Sequence, residues 1–487
     1  MPSHCVILGH VHCLPQGCFV PALIPIPPTL RDVDALRRQG VWRILLQALV
    51  TGGVSGAIIG LFRAAYDALS SLTVRVLHVN DLQTPLVATA IFLSLMALAL
   101  LSMLLLRAEP LISGSGIPQV ELMLHGHFRM QWLRVLLCKF TGTLVSLTGG
   151  LSVGREGPCI MMGAAVGAGA GRLWNKNDQH DLPRFLVGGS VAGMTAAFGA
   201  PLAGMFFAFE EMKTLLGVPM LLFTGGCALA AWFVVDQLLG FGLVFPFASQ
   251  QLLQWQQLWI PPLVGMCMGF LGTVYNATLL RLTLWEDRCR FLPFPVRTLL
   301  PFVLTGCLLY NYPQVLTGVG VTTLQLENPQ LPLTALLALL TVKLLFSCVS
   351  FASGVSGGIL MPLLLMGALG GACLTSSFIH LNMLDPAQTG TILTLGMAGM
   401  FAASVRAPLT GTALLVEMTG AFHNTPVVLL TAFVAVFTAN TLHSSPVYDS
   451  LRTRCLTLLP PVVTTHSPDI SPKTVNTGQG ECHKNIL

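Results

Sequence analysis

The sequence contains few charged residues. Lysine and arginine number 25 and aspartate and glutamate 20 in 487 residues, so that only 9% of the chain is charged. Soluble domains carry about 25% charged residues, which argues against an ordinary soluble protein. The net charge of +5 includes no block of basic residues with interleaved aromatics. This argues against a nucleic-acid partner.

Recognisable patterns of catalytic and metal-binding residues are also missing. The 13 cysteines are scattered, many of them in apolar runs, and match neither a disulfide framework nor a standard zinc spacing. The sequence shows no nucleophile and base pair, no phosphate-binding loop and no cofactor motif. We therefore predict no metal site and no cofactor, and an enzyme is the least favoured function class.

Apolar residues and glycine are abundant instead. Hydrophobic residues make up 53% of the chain and there are 48 glycines, a composition typical of a polytopic helical membrane protein. The clearest spans, each near the ~20 apolar residues that a bilayer requires, are Ile44–Phe62, Pro85–Leu106, Val218–Val235, Trp259–Leu280 and Pro426–Leu442. Shorter segments are interrupted by glycine and proline. Because broken helices are tolerated only where they line a cavity or pack inside protein, we expect an internal substrate path.

One charged segment, Gly154–Pro158 (GREGP), precedes the apolar stretch Cys159–Gly171. Its glycines and proline predict a helix start, where free amides and the helix dipole form an anion site. Glu156 is a tethered anion beside that site, able to occupy it when ionised and to leave it when protonated. The alternative is a carboxylate that only stabilises its own helix dipole.

The second half of the chain repeats the first at an offset of about 204 residues. The matching pairs are Gly114 and Gly318, Gly116 and Gly320, Lys139 and Lys343, Gly154 and Gly358, and Pro158 and Pro362. At a slightly larger offset Glu210 matches Glu417, whereas Glu211 matches Met418. Duplicated halves are common in transporters, where they meet at a central substrate site.

Three motifs and one tyrosine carry a resemblance to a known family. The segments Gly114–Pro118, Gly154–Pro158 and Gly357–Pro362, together with Tyr448, resemble the signature segments of the CLC family of chloride channels and chloride/proton antiporters. The chain is similar to the prokaryotic members without regulatory C-terminal domains. The resemblance implies an all-α fold of two inverted repeats with many tilted and broken helices, and a homodimer with one pore per subunit.

The resemblance also implies a chloride-binding site. Ser115 and Tyr448 would hold a central chloride, the backbone amides of Ile359 and Leu360 would complete it, and Glu156 would be the external gate and proton acceptor. Hydroxyls and amides suit this task because full positive charges would bind chloride too tightly for turnover. Taken alone, Ser115 is also typical of a helix cap and Tyr448 of a tyrosine at the membrane interface. The family usually has phenylalanine where Leu360 stands, which puts the pore width in doubt.

Glu210 and Glu211 are expected to have different roles. Because Glu210 has a counterpart in the other half, we expect a structural role, such as accepting hydrogen bonds at a helix end. Glu211 is the extra carboxylate, and family members that exchange protons resemble this chain in having an acid there. It would transfer protons on the internal side. The alternative for Glu211 is an ion pair with Lys213 at a solvated helix end.

The positive-inside rule predicts the orientation. Arginines are concentrated in the linker Arg281–Arg297, which places both termini in the cytoplasm, and the expected location is the bacterial inner membrane. We expect a disordered leader over residues 1–30, a transmembrane domain over 31–458 with repeats at about 42–235 and 259–458, and a cytoplasmic tail over 459–487.

The favoured function is a secondary active transporter that exchanges chloride for protons. The main alternative is a passive chloride channel, gated by voltage or pH, in which Glu156 is the gate. A membrane-embedded enzyme is a third alternative from another class. The expected partners are chloride, protons, the lipid bilayer and a second copy of the chain.

Overall fold

The computed structural model describes residues 40–79, 84–127, 130–174, 181–214, 217–240, 242–247, 250–288, 294–311, 326–327 and 331–458. Within these ranges the chain forms sixteen α-helices and no β-strand. They are α1 Val41–Val79, α2 Pro85–Ala108, α3 Ile117–Leu124, α4 Trp132–Thr148, α5 Glu156–Trp174, α6 Leu182–Phe198, α7 Pro201–Glu210, α8 Val218–Leu239, α9 Ile260–Arg288, α10 Phe294–Asn311, α11 Leu333–Ala352, α12 Leu360–His380, α13 Thr389–Val405, α14 Pro408–Thr419, α15 Thr425–Thr441 and α16 Val447–Leu458. The predicted leader and tail lie outside the described residues.

Seven helices in this part of the chain are long and apolar enough to cross a membrane. Five of them correspond to the spans predicted from the sequence, and the other two are α11 and α12. Lys343 lies in the middle of α11 and Pro362 in the first turn of α12, so neither segment is an uninterrupted apolar run. The protein is a multi-pass membrane protein.

The centre of the molecule consists of helices buried on all sides. Every residue of α13 is buried, and α5 is buried from Glu156 to Gly169. Helix α5 packs against α6, and α12 packs against α13 in the same way. Helices of the outer layer, such as α8 and α15, instead present large apolar side chains outward, among them Phe233 and Phe437. Helices that are apolar all round lie in a protein interior or span a membrane.

Glutamates at equivalent positions of the two halves contact the opposite half. Glu210, at the end of α7, accepts hydrogen bonds from the amides of Leu409 (3.0 Å) and Thr410 (2.7 Å) at the start of α14. Glu417, near the end of α14, accepts from the amides of Leu202 (3.0 Å) and Ala203 (2.9 Å) at the start of α7. Each short helix therefore caps the other, and the contact is reciprocal between the two halves. The predicted role of Glu210 at a helix end is confirmed.

Candidate ion pathway

The three glycine-rich motifs meet at the centre of the molecule. The amide of Gly114 donates to the carbonyl of Val355 and the amide of Gly357 to the carbonyl of Gly114, both at 3.1 Å. Gly154 and Gly358 exchange a pair of backbone hydrogen bonds. These segments precede α3, α5 and α12, so the N-termini of three helices converge on one place. Their free amides create a region that favours an anion.

Ser115 is buried at the start of α3. Its Oγ accepts a hydrogen bond from the amide of Ile117 (3.3 Å), a short-range contact that leaves the hydroxyl hydrogen free to point elsewhere. The next residue, Gly116, has a φ of 94°, and a Cβ there would overlap Met161 of α5. Only glycine fits this left-handed turn. The first turn of α5 also touches Ser115, since a Cβ on Gly157 would lie 2.8 Å from the Ser115 Cβ.

Lys139 of α4 holds the segment that leads to Ser115. Its side chain is 0% exposed, and its Nζ donates to the carbonyls of Ile112 (2.8 Å) and Gly114 (2.6 Å). Both acceptors are backbone atoms, so Lys139 has a structural role. The internal repeat, in which Lys343 matches Lys139, is the sequence signal for this structural role.

The carboxylate of Glu156 lies at the convergence point and is 0% exposed. It lies close to the amide of Met361 in the first turn of α12, and its Oε1 is 3.9 Å from the Nε of Arg155. Neither carboxylate oxygen makes a hydrogen bond of normal geometry to a residue that the structure describes. The Arg155 guanidinium is held over the ring of Tyr66 at 5.7 Å. Glu156 is therefore a buried acid with one nearby cation and a neighbouring helix N-terminus.

Ile359 and Leu360 form the start of α12. Both are buried, and within the described residues no side chain caps this helix. The amide of Met361, in the first turn of α12, faces the carboxylate of Glu156. The Leu360 side chain is packed in the main apolar core.

Tyr448 lies in the first turn of α16 and is 1% exposed. Its hydroxyl has no hydrogen-bond partner among the described residues. The phenol is close enough to both Glu156 and Glu211 to interact electrostatically with each carboxylate. Because burying a hydroxyl without a partner is costly, this tyrosine is expected to face a polar ligand or water.

Glu211 follows the last residue of α7, outside the membrane-spanning helices, and is 8% exposed. Lys213 pairs with Asp449 of α16 (2.7 Å), and Glu211 has no ion pair with a described residue. The alternative of an ion pair between Glu211 and Lys213 is therefore wrong. Burial, followed by the negative charges of Glu121 and Asp449, raises the pKa of Glu211 well above its usual value. A carboxyl in these surroundings readily takes up a proton.

The structure brings five of the six predicted site residues towards one region. Ser115, Glu156, Ile359 and Leu360 lie at the converging helix starts, and Tyr448 lies within range of Glu156. Glu211 follows α7 and does not belong to these helix starts, but it also interacts electrostatically with Tyr448. Among the described residues, no three His, Cys, Asp or Glu side chains form a group that could hold a metal ion. The arrangement offers neutral hydroxyls, helix amides and two separated acids.

Comparisons with known proteins agree with this geometry. A family model described as "Voltage gated chloride channel" matches residues 97–440, well over half of the chain. The H(+)/Cl(-) exchange transporter ClcA of Vibrio campbellii is 31% identical over 432 residues, which cover 85% of this chain and 90% of that relative. ClcA of Vibrio cholerae strain M66-2 is 33% identical over 370 residues, or 72% of this chain and 76% of that protein.

Solved structures show the same architecture. The crystal structure of a slow cyanobacterial Cl-/H+ antiporter superposes with a TM-score of 0.80 at 28% identity, covering 85% of this chain and 98% of that one. A eukaryotic CLC transporter, at 20% identity, shares the fold with a TM-score of 0.72 over 85% of this chain and 74% of its own. The predicted all-α fold of two inverted repeats is confirmed, and the chain belongs to the voltage-gated chloride channel (CLC) family.

Proposed function

We propose that this protein exchanges chloride for protons across the membrane. The observation that carries the proposal is the placement of two buried carboxylates, Glu156 and Glu211, with Tyr448 within electrostatic range of both. A passive pore for chloride needs an anion path but has no need of a second buried acid. The printed names of the Vibrio relatives and the cyanobacterial antiporter support the same activity.

Chloride binds where the helix starts converge. The hydroxyls of Ser115 and Tyr448 donate to it, and the amides of Ile359 and Leu360 complete the site. None of these ligands carries a full charge, so the ion is stabilised without being trapped. The Tyr448 hydroxyl, which has no hydrogen-bond partner within the described part of the chain, supports this assignment because a chloride ligand would satisfy it.

Protons move through the two acids. Glu211 takes up a proton on the internal side, and Glu156 receives it and releases it outside. When ionised, Glu156 is itself the anion at the start of α12; when protonated, it is neutral and leaves that position to chloride. Chloride and the carboxylate of Glu156 thus bind to the same amides in turn. This alternation couples the proton to the chloride.

The proposed setting is a bacterial inner membrane with both termini in the cytoplasm, and a homodimer with one pore per subunit. Lys213 and Arg452 lie near Glu211, which is consistent with an internal side rich in basic residues. We also propose repeat boundaries at about 42–235 and 259–458, in line with the reciprocal contacts between α7 and α14.

Reconstituted liposomes test the proposal. With a chloride gradient imposed and the voltage clamped by an ionophore, the wild type should drive protons uphill, as recorded by a pH electrode. Glu211→Gln should abolish proton movement while chloride still flows, and Glu156→Gln should do the same through the outer acid. Asp236→Asn, an acid at the end of α8, is the control and should stay coupled. Chloride flux without proton movement in the wild type would instead identify a channel gated by Glu156.

A further inference from the structure

Glu211 is accompanied by a second buried carboxylate. Glu121 lies in α3, is 2% exposed, and interacts electrostatically with Glu211. Two buried carboxylates that interact electrostatically are costly to ionise together, so a proton that they share has two possible positions. If the transported proton could also bind to Glu121, some protons would be lost from the path through Glu211. The surroundings must therefore decide which acid takes the proton.

The charges around the two acids are unevenly distributed. Arg452 of α16 makes a direct ion pair with Glu121, donating through Nη1 to its Oε1. Its Nη2 is 3.3 Å from Asp449, and Asp449 also binds Lys213 at 2.7 Å. Within the described residues both cations thus have anionic partners other than Glu211. Besides these groups, Glu211 has the phenol of Tyr448 within range.

This distribution separates the two acids by their counter-ions. Burial raises the pKa of both carboxyls. The guanidinium in contact with Glu121 opposes this rise by stabilising the ionised form, whereas Glu211 has no such direct partner among the described residues. We propose that Arg452 is a positioning residue that favours the ionised form of Glu121 over that of Glu211 and so biases the transported proton towards Glu211. The inference rests on the proposed function, in which Glu211 is the internal proton carrier.

A purely structural role of the Glu121–Arg452 ion pair predicts different results for the variants. The Glu121–Arg452 ion pair joins α3, which follows Ser115, to α16, whose first turn contains Tyr448. If the ion pair only fastened these helices together, any variant without it would be impaired, whether or not position 121 can titrate. If Arg452 acts through the charge on Glu121, a non-titrating side chain at 121 makes Arg452 dispensable. The double variant separates the two roles.

The experiment measures the ratio of protons to chloride moved in liposomes. Arg452→Gln should lower this ratio by about tenfold, the effect of one pK unit on the proton distribution, while chloride still flows. Glu121→Gln alone should remain coupled. Glu121→Gln combined with Arg452→Gln should restore the ratio towards that of the wild type. Arg454→Gln, two residues further along α16, is the matched control and should be unchanged.

The outcomes are distinct from those that test the function. A coupled wild type with an equally coupled Arg452→Gln variant would overturn the inference and leave the exchanger intact. A double variant as uncoupled as Arg452→Gln would also overturn it, in favour of a helix-fastening role. Chloride flux without any proton movement in the wild type would overturn the exchanger and the inference together. Persisting chloride flux in each variant shows that it has folded.

Discussion

The amide of Gly154 donates to the carbonyl of Gly358, and the amide of Gly358 donates to the carbonyl of Gly154, both at 2.6 Å. These two glycines occupy equivalent positions in the two halves of the chain. Equivalent atoms that bind each other must lie around a local two-fold axis, so the axis that relates the repeats passes between them. Glu156 lies two residues from one of them, and the start of α12 lies two residues from the other. The proposed anion site therefore lies at the axis and includes residues from both halves.

Replacing Lys139, which does not bind chloride itself, should weaken chloride binding at the proposed site. Lys139→Met removes the side chain that donates to the buried carbonyl of Ile112, at a cost of roughly 1–3 kcal/mol for an unsatisfied group. It also removes one of two donors to the carbonyl of Gly114, which keeps its hydrogen bond from the amide of Gly357. We expect weaker chloride binding in isothermal titration calorimetry and a lower Tm in detergent. Lys343→Met, in the equivalent place of the other half, is the comparison. Chloride affinity unchanged in Lys139→Met would contradict a role for this lysine in holding Ser115.

Removing either capping glutamate should destabilise the protein. Glu210→Ala frees the amides of Leu409 and Thr410, and Glu417→Ala frees those of Leu202 and Ala203. Loss of a helix cap costs about 0.5–2 kcal/mol, so each variant should show a lower Tm. Since neither residue belongs to the proposed pathway, proton coupling should persist in the protein that folds. Uncoupled exchange in Glu210→Ala would show that the sequence assigned the wrong member of the glutamate pair.

Removing the hydroxyl of Tyr448 should weaken chloride binding and leave thermal stability nearly unchanged. It has no hydrogen-bond partner among the described residues, so Tyr448→Phe removes no protein hydrogen bond seen there. Loss of one ligand hydrogen bond weakens binding by about 0.5–1.5 kcal/mol. Calorimetry with chloride and a thermal melt measure the two effects separately. Equal chloride affinity in both proteins would remove Tyr448 from the site.

The pH on the internal side should control exchange through Glu211. Its pKa is raised by burial and by neighbouring carboxylates, so the acid stays protonated to a higher pH than an ordinary glutamate. As the internal pH rises through this raised pKa, the protonated fraction falls and coupled exchange should slow. Flux recorded at a series of internal pH values, with external pH fixed, measures this dependence. In Glu211→Gln, the remaining chloride flux should lack it.

Long apolar runs and short motifs were predictable from the sequence. The five clearest spans, the helix starts at Ser115 and Glu156, and the structural role of Glu210 follow from local composition or from the internal repeat. The partners of these residues do not. Lys139 binds carbonyls more than twenty residues away, and Arg452 binds Glu121 across 331 positions. Such contacts depend on how distant segments are folded together, which no local pattern records.

The reciprocal caps of α7 and α14 have a consequence for how the chain is made. A ribosome delivers residues 201–211 to the membrane about two hundred residues before Leu409 and Thr410 exist. Until then Glu210 has no amides to accept from, and the amides of Leu202 and Ala203 have no carboxylate. The first half must therefore wait in the bilayer as an incomplete intermediate, and synthesis of the last quarter of the protein completes it. Truncated chains that end before α14 are expected to be substrates for membrane proteases.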